Sequence, residues 1–419
     1  MGTVTYFRWL PACFGTALAI WVASAGAVDT LQSGVRTFAR FDREITTLWP
    51  GEDGQILVQV DGKTSGEKGH LWVVNREGEV TWHHDLPGGL PLSDVGWAPD
   101  RILFVRPGTD PKPAEDADVE WVLMTAPGEM RRVKVPWGYA HKVNWLSPLP
   151  VILWMGSRGV YVSDLSGRRL EGWDMPDWPW DRALVDVAVV DKRPRLAMAP
   201  NRAPPFRLVV LDATTGRTVK EWQLGAHWTG GRPCISPATG LVALFGGNER
   251  HPDGRPELRL FDLRSSAPPE SFAFEEPLGF HRSLSPDGTR LALWNGPCVG
   301  VFDLQARRLQ WMHSLKPRGS SYWVQGMKSD GQGAAVAVLG NHLQSAPIEV
   351  HFTDRTGRPA LMWRSPGDAR YSSPENGTPL VVDWAGRRAL VRYRNEIVSV
   401  PLPAPREPGR ETQCDPPQD

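Results

Sequence analysis

The stretch SPDGTRLALW (Ser285 to Trp294), followed after a short break by VGVFDLQARRLQW (Val299 to Trp311), decides how the chain is read. Ser-Pro-Asp-Gly is a turn: proline presets one backbone angle and glycine accepts the conformation that other residues avoid. Leu291 to Trp294 is then a short apolar strand, Val299 to Asp303 a second, and Arg308 to Trp311 a third that ends on tryptophan. Joined by tight turns, these pieces make an antiparallel meander with no helical period in it.

The first hairpin of this unit recurs seven more times with its turn in register. The copies begin at Leu48, Trp97, Trp145, Val189, Ile235, Met327 and Asp383, spaced by roughly one 40–50-residue propeller blade each. The outer hairpin recurs as LWVVNREGEVTW (Leu71 to Trp82), VYVSDLSGRRLEGW (Val160 to Trp173), LVVLDATTGRTVKEW (Leu208 to Trp222), LRLFDLRSSAPPESF (Leu258 to Phe272) and VHFTDRTGRPALMW (Val350 to Trp363). Trp121 to Val135 is a weaker copy. The last unit has no fourth strand after Glu396 to Leu402, and VRTFARFD (Val35 to Asp42) is an orphan strand before the first unit. A ring of sheets must hide its edges, so the orphan is expected to complete the last sheet. The expected fold is all-β, a single β-propeller of eight blades over residues 35–402. Seven blades is the alternative, should Leu92 to Val135 be an insertion.

The 47 basic and 47 acidic residues of the 419 cancel, which argues against a nucleic-acid or anionic-membrane binder, since both need a basic surplus. Gly 42, Pro 39 and Trp 20 suit many turns between aromatic-rich strands. Residues 1–27 read as an export signal: Arg8, an apolar run from Trp9 to Ala23, then Ala25-Gly26-Ala27 as the cleavage site. An uncleaved anchor is the alternative, although Pro11, Gly15 and Gly26 interrupt its helix. The expected location is periplasmic or secreted. Cleavage would leave Cys234, Cys298 and Cys414, with Cys234 and Cys298 the candidate disulfide in an oxidising compartment. Residues 403–419 have the composition of a disordered tail.

The motif of strand, Asp-x-x-Thr-Gly, strand and Trp, best at Asp212, Thr215, Gly216 and Trp222 and partial at Asn75, Gly78, Trp82 and at Asp354, Thr356, Gly357, Trp363, resembles the tryptophan-docking repeat of pyrroloquinoline quinone enzymes and their cofactor-free relatives. Ser285 to Gly288 resembles equally the turn of WD-repeat and Tol-system propellers. The resemblance implies that Trp82, Trp173, Trp222, Trp311 and Trp363 wedge between neighbouring blades as structural residues, and Trp222 is expected to be mostly buried. It also brings a quinone oxidoreductase into view. The chain is shorter than such enzymes and lacks their adjacent cysteine pair, so no cofactor is expected.

No zinc-ligand spacing, nucleophile elbow, phosphate loop or dinucleotide fingerprint occurs in the sequence, and no catalytic or metal residue is assigned. The loops joining second to third strands are long at Asp61 to His70, Pro107 to Asp118, Ala199 to Pro205, Gly246 to Pro256 and Gly340 to Pro347, and they share a face with the blade-to-blade loops. Loops elaborated on one face of a rigid scaffold suggest a recognition surface. Its candidate residues are the aromatics Trp137, Tyr139, Trp178, Trp180, Trp228, Tyr322 and Trp323 and the polar groups Asp94, His141, Asp186, Arg232 and His281. Two His and two Asp would bind a metal or do acid–base work only if they converge. The expectation is a monomeric, non-catalytic exported propeller that binds a protein or other macromolecule on that face. A propeller enzyme or glycan-binding protein is the alternative.

Overall fold

In the unit that opened the sequence reading, four strands, His281–Leu284, Arg290–Asn295, Cys298–Asp303 and Arg308–Ser314, pair antiparallel in that order. The Ser-Pro-Asp-Gly turn is locked locally. The Ser285 hydroxyl donates to Asp287 Oδ1 at 2.6 Å, the Thr289 amide donates to the same oxygen at 3.1 Å, and Gly288 takes φ +71°. The structure is a computed structural model. It describes residues 34–404 except 52–53, 61–68, 87–94, 99–101, 106–116, 126–128, 137, 139–141, 147–148, 157, 165, 175–182, 201–205, 226–227, 249–256, 275–280, 318–319, 342–344 and 370–378. The segment read as an export signal and most of the stretch read as a tail lie outside those residues.

Eight such sheets follow one another, and the chain is an eight-bladed β-propeller. The divergent second unit is a full blade, from Val95–Ala98 to Glu129–Pro136, so it is no insertion and seven blades is set aside. In blade 5 the inner strand is broken into Trp228–Gly230 and Cys234–Ile235, both paired with Leu241–Asn248. In blade 8 the strands Leu380–Asp383, Arg388–Tyr393 and Glu396–Pro401 are joined by Arg36–Arg40, which pairs antiparallel with Glu396–Pro401.

The apolar cores lie between blades rather than within them. One cluster joins Ala292, Val299 and Trp311 of blade 6 to Met327, Ala335 and Leu339 of blade 7, and another joins Phe38, Leu390 and Ile397 of blade 8 to Ile45, Leu48 and Val58 of blade 1. A four-stranded sheet has two apolar faces and cannot bury either alone, so each blade depends on its neighbours.

The outer-strand aromatics mark these joints. Trp311 is 7% exposed, its Nε1 donates to the Gly333 carbonyl of blade 7 at 2.7 Å, and a Cβ on Gly357 would lie 2.8 Å from its own Cβ. Trp363 is buried and meets Tyr393 of blade 8 edge-on at 5.8 Å. Trp173 donates to the Ala213 carbonyl of blade 4 at 3.2 Å under Gly216, where a Cβ would lie 2.5 Å from the indole. In blade 8 the place is taken by Phe38. It sits under Gly78 of blade 1, whose φ is +96° and whose missing Cβ would strike the Phe38 carbonyl, and the Arg388 guanidinium lies 4.9 Å over its ring. Trp222 is largely covered, packing against Phe261 of blade 5 at 5.2 Å and against the cluster shared by blades 4 and 5, but like Trp82 and Trp173 it keeps more exposure than Trp311 and Trp363.

The candidate disulfide between Cys234 and Cys298, left open by the sequence, is not formed. The fold separates them: Cys234 is on the inner strand of blade 5, and Cys298 is on the third strand of blade 6, where its thiol donates to Ser314 Oγ at 3.9 Å.

A polar joint closes the outer part of the gap between blades 6 and 7. Glu349, with a side chain 4% exposed, accepts from Lys316 at 2.8 Å and from His351 Nε2 at 2.9 Å. Burial works to raise its pKa, but the hydrogen bonds and charges of His351 and Lys316 outweigh that and hold it at about 2, against 4.5 for a free glutamate. Because the folded value is the lower one, the stability this carboxylate contributes is complete above pH 4.5 and is lost as pH falls toward 2. Urea unfolding across that window should therefore show a shallower acid loss in Glu349→Gln than in the native chain. Parallel pH profiles would mean that Glu349 is not held in its charged form.

Candidate functional site

Of the twelve residues singled out for the recognition face, Asp94, Trp137, Tyr139, His141, Trp178 and Trp180 lie outside the described residues. Trp228 starts the broken inner strand of blade 5, paired with Asn248. The other five lie at or just before the starts of inner strands or along them, in blades 4 to 7.

Tyr322 and Trp323 open the inner strand of blade 7. The next residue, Val324, donates its amide to the carbonyl of Gly296 at 2.8 Å, and Gly296 belongs to the short second-to-third turn of blade 6. Both aromatics are thereby pinned to the face that carries the second-to-third loops. Lys316 lies 5.2 Å over the Tyr322 ring, while Trp323 is 40% exposed. The remaining exposed large hydrophobics among the described residues are Val80 and Leu170, both on outer strands at the rim. His281 stacks on Trp294 of its own blade, ring centroids 5.8 Å apart.

A second group lies nearer the axis. Asp186 of blade 4 accepts the Ile235 amide of blade 5 at 2.7 Å, and Arg232 returns the contact by donating Nε to the Val185 carbonyl at 2.6 Å. Arg282 of blade 6 donates weakly to the Pro233 carbonyl at 3.4 Å and lies beside the Cys234 thiol. Lys328 of blade 7 donates to Ser283 Oγ of blade 6 at 3.0 Å. Each inner strand thus reaches back to the strand before it. Burial pushes the Cys234 thiol up to about 12, with Asp186 adding to the rise, so it stays protonated and is a poor nucleophile. Burial lowers the Arg282 pKa, and burial alone lowers that of Lys328.

Asp186 accepts from blade 5 while His281 stacks within blade 6, and no group of three metal-ligating side chains forms among the described residues. Sequence reasoning passed over Arg282, Lys328 and the setting of Cys234. The available signal was a charge inside a short inner strand: Arg282 within His281–Leu284, and Lys328 between Met327 and Ser329.

No family model and no curated protein matches the sequence. Solved structures do share its fold. BamB from Moraxella catarrhalis is 12% identical with a TM-score of 0.51, covering 86% of this chain and 97% of that one. The C-terminal WD40 domain of Sif2 is 14% identical with a TM-score of 0.59, covering 88% and 98%. KlAtg21, in a complex with the coiled coil of AgAtg16, is 14% identical with a TM-score of 0.52, covering 77% and 99%. At these identities the likeness is one of fold alone, a β-propeller. No helix among the described residues is long and apolar enough to cross a membrane.

Proposed function

We propose that the chain is an exported, non-catalytic propeller that binds a protein through the long-loop face. The observation carrying this reading is Trp323. It is the one strongly exposed aromatic among the described residues, it sits on that face, and it is held there by the backbone bond from Val324 to Gly296. A large, rigid aromatic on a scaffold that cannot yield is the usual anchor of a protein interface. The complex of KlAtg21 with a coiled coil illustrates a propeller engaged with a protein, which is the class of partner proposed here.

Export and binding are tested separately. Cell fractionation with N-terminal sequencing should find the mature chain beginning at Val28 outside the cytoplasm, and a full-length cytoplasmic chain would refute export. For binding, the native protein is used to capture partners by cross-linking in its own compartment. Trp323→Ala should lose captured protein at least about tenfold, as expected for an interface hot spot, while Leu170→Ala at the rim should lose none. Equal capture by both variants would overturn the assignment of the face.

A further inference from the structure

The charged residues on or between the inner-strand segments of blades 4 to 7 are one carboxylate, Asp186, and three cations, Arg232, Arg282 and Lys328. The whole chain is neutral, so this basic surplus is local. Three half-buried arginines elsewhere are paired with carboxylates, Arg195 with Asp212 at 3.1 Å, Arg290 with Asp303 at 3.0 Å and Arg388 with Asp383 at 3.1 Å, while Arg387 and Arg392 donate to backbone carbonyls. Arg282 and Lys328 stand apart in lying on neighbouring inner strands. Among the described residues neither has a carboxylate within 4.0 Å, and their acceptors are a carbonyl at 3.4 Å with a protonated thiol for the one and a single hydroxyl for the other. Asp186 is close enough to Arg282 to act on its charge, but its Oδ2 is spent on the Ile235 amide.

An uncompensated cation in a crowded site is costly, and a fold keeps one where something of opposite charge comes to it. A guanidinium offers five donors in a planar fork matched to an oxyanion, and an ammonium offers three. Arg282 and Lys328 each have most of theirs unused by the described residues. Gly231 leaves room for this: a Cβ there would lie 2.9 Å from Arg282 Nη1. Both cations are partly open to solvent, so the surface of the ring's inner wall can deliver a small ion to them.

We propose that the inner wall of blades 5 to 7 is an oxyanion-binding site, with Arg282 as its principal ligand, Arg232 beside it, and Lys328 contributing from the next blade. The ligand is a small carboxylate- or phosphate-bearing anion, and the site is separate from the Trp323 face.

The test is titration of the full-length protein with inorganic phosphate, with acetate, and with chloride at matched ionic strength, read by melting temperature and by heat. Saturable stabilisation by phosphate or by acetate, absent in chloride, is expected, and the anion that saturates identifies the headgroup. Arg282→Met should weaken that binding by about tenfold or more, and Lys328→Met by less. Because both substitutions remove an uncompensated charge, neither should lower the melting temperature in chloride. Should Arg282→Met fail to fold, Gly231→Ala displaces the guanidinium without removing its charge and is expected to weaken the same binding. A native protein indifferent to both anions, or variants that keep the full effect, would overturn the proposal. Either result leaves the capture experiment on Trp323 standing.

Discussion

A chain trimmed to begin at Glu44 should melt far below the full-length protein and aggregate on heating. The trimming removes Arg36–Arg40, so Glu396–Pro401 loses its partner and faces solvent as a bare edge, a template for pairing with another chain. It also removes Phe38, Ala39 and Phe41, all under 9% exposed, from the cluster shared by blades 8 and 1. The loss of two buried phenylalanines, at about 3–5 kcal/mol each, is comparable with the roughly 5–15 kcal/mol that separates a typical folded domain from its unfolded chain. Further ties go with them: the Phe41 amide to the Asn395 carbonyl at 2.9 Å, Asn395 Nδ2 to the Phe41 carbonyl at 2.7 Å, and the seat of Arg388 on Phe38. Removing residues 405–419 is the control, because every contact described here survives it. Differential scanning calorimetry of the two truncations decides the matter. If they melt together, the N-terminal strand does not hold the ring shut.

The repeat was readable because each blade obeys local rules. The turn at Ser285 to Gly288 is made by its own side chains, and the same is true where Asp354 Oδ1 accepts from the Thr356 amide at 2.9 Å and its hydroxyl at 2.6 Å. Period-two alternation placed the strands without any reference to their neighbours. What belongs to pairs of blades was harder. Trp222 and Trp311 occupy the same place in the period, yet Trp311 lies under Gly357 while Trp222 packs on Phe261 and keeps more exposure. Phe38 could be placed in a strand by pattern, but its seat under Gly78 depends on a residue 40 positions later. Whether Cys234 and Cys298 pair stayed open in the sequence, and the ring puts them in different blades without a disulfide. Arg282 and Lys328 were invisible for a related reason. Alternation says which side of a sheet a residue faces, and only the neighbouring inner strand reveals whether a counter-charge waits there. Of the face residues, Tyr322 and Trp323 were legible because they open a strand whose register is set by the sheet.

Trp311→Ala is expected to cost about 3–5 kcal/mol, the range for deleting a large buried aromatic, and to exceed the cost of Trp222→Ala. The indole of Trp311 fills the space between Ala292, Val299 and Val301 of its own blade and Met327, Ala335 and Leu339 of the next. Strands paired along their whole length cannot collapse into the cavity that alanine would leave, so little of the loss is recovered. Two polar consequences add to it. The Gly333 carbonyl loses its donor, worth about 0.5–1.5 kcal/mol. His313, stacked on the indole at 5.2 Å, is uncovered. Burial, followed by the charge of His351, keeps the His313 pKa below its ordinary 6.5, so the folded state resists its protonation and loses stability as pH falls below that value. With the indole gone, water reaches the ring and this acid sensitivity should shrink. Trp311→Phe separates the contributions, restoring most of the volume and the stack but not the bond to Gly333. Urea unfolding of the three variants at pH 7.5 and pH 5.5 gives both readouts. An alanine variant no less stable than Trp222→Ala, with an unchanged pH difference, would show that the outer-strand tryptophan does not join blade 6 to blade 7, and the likeness to docking repeats would lose its physical basis.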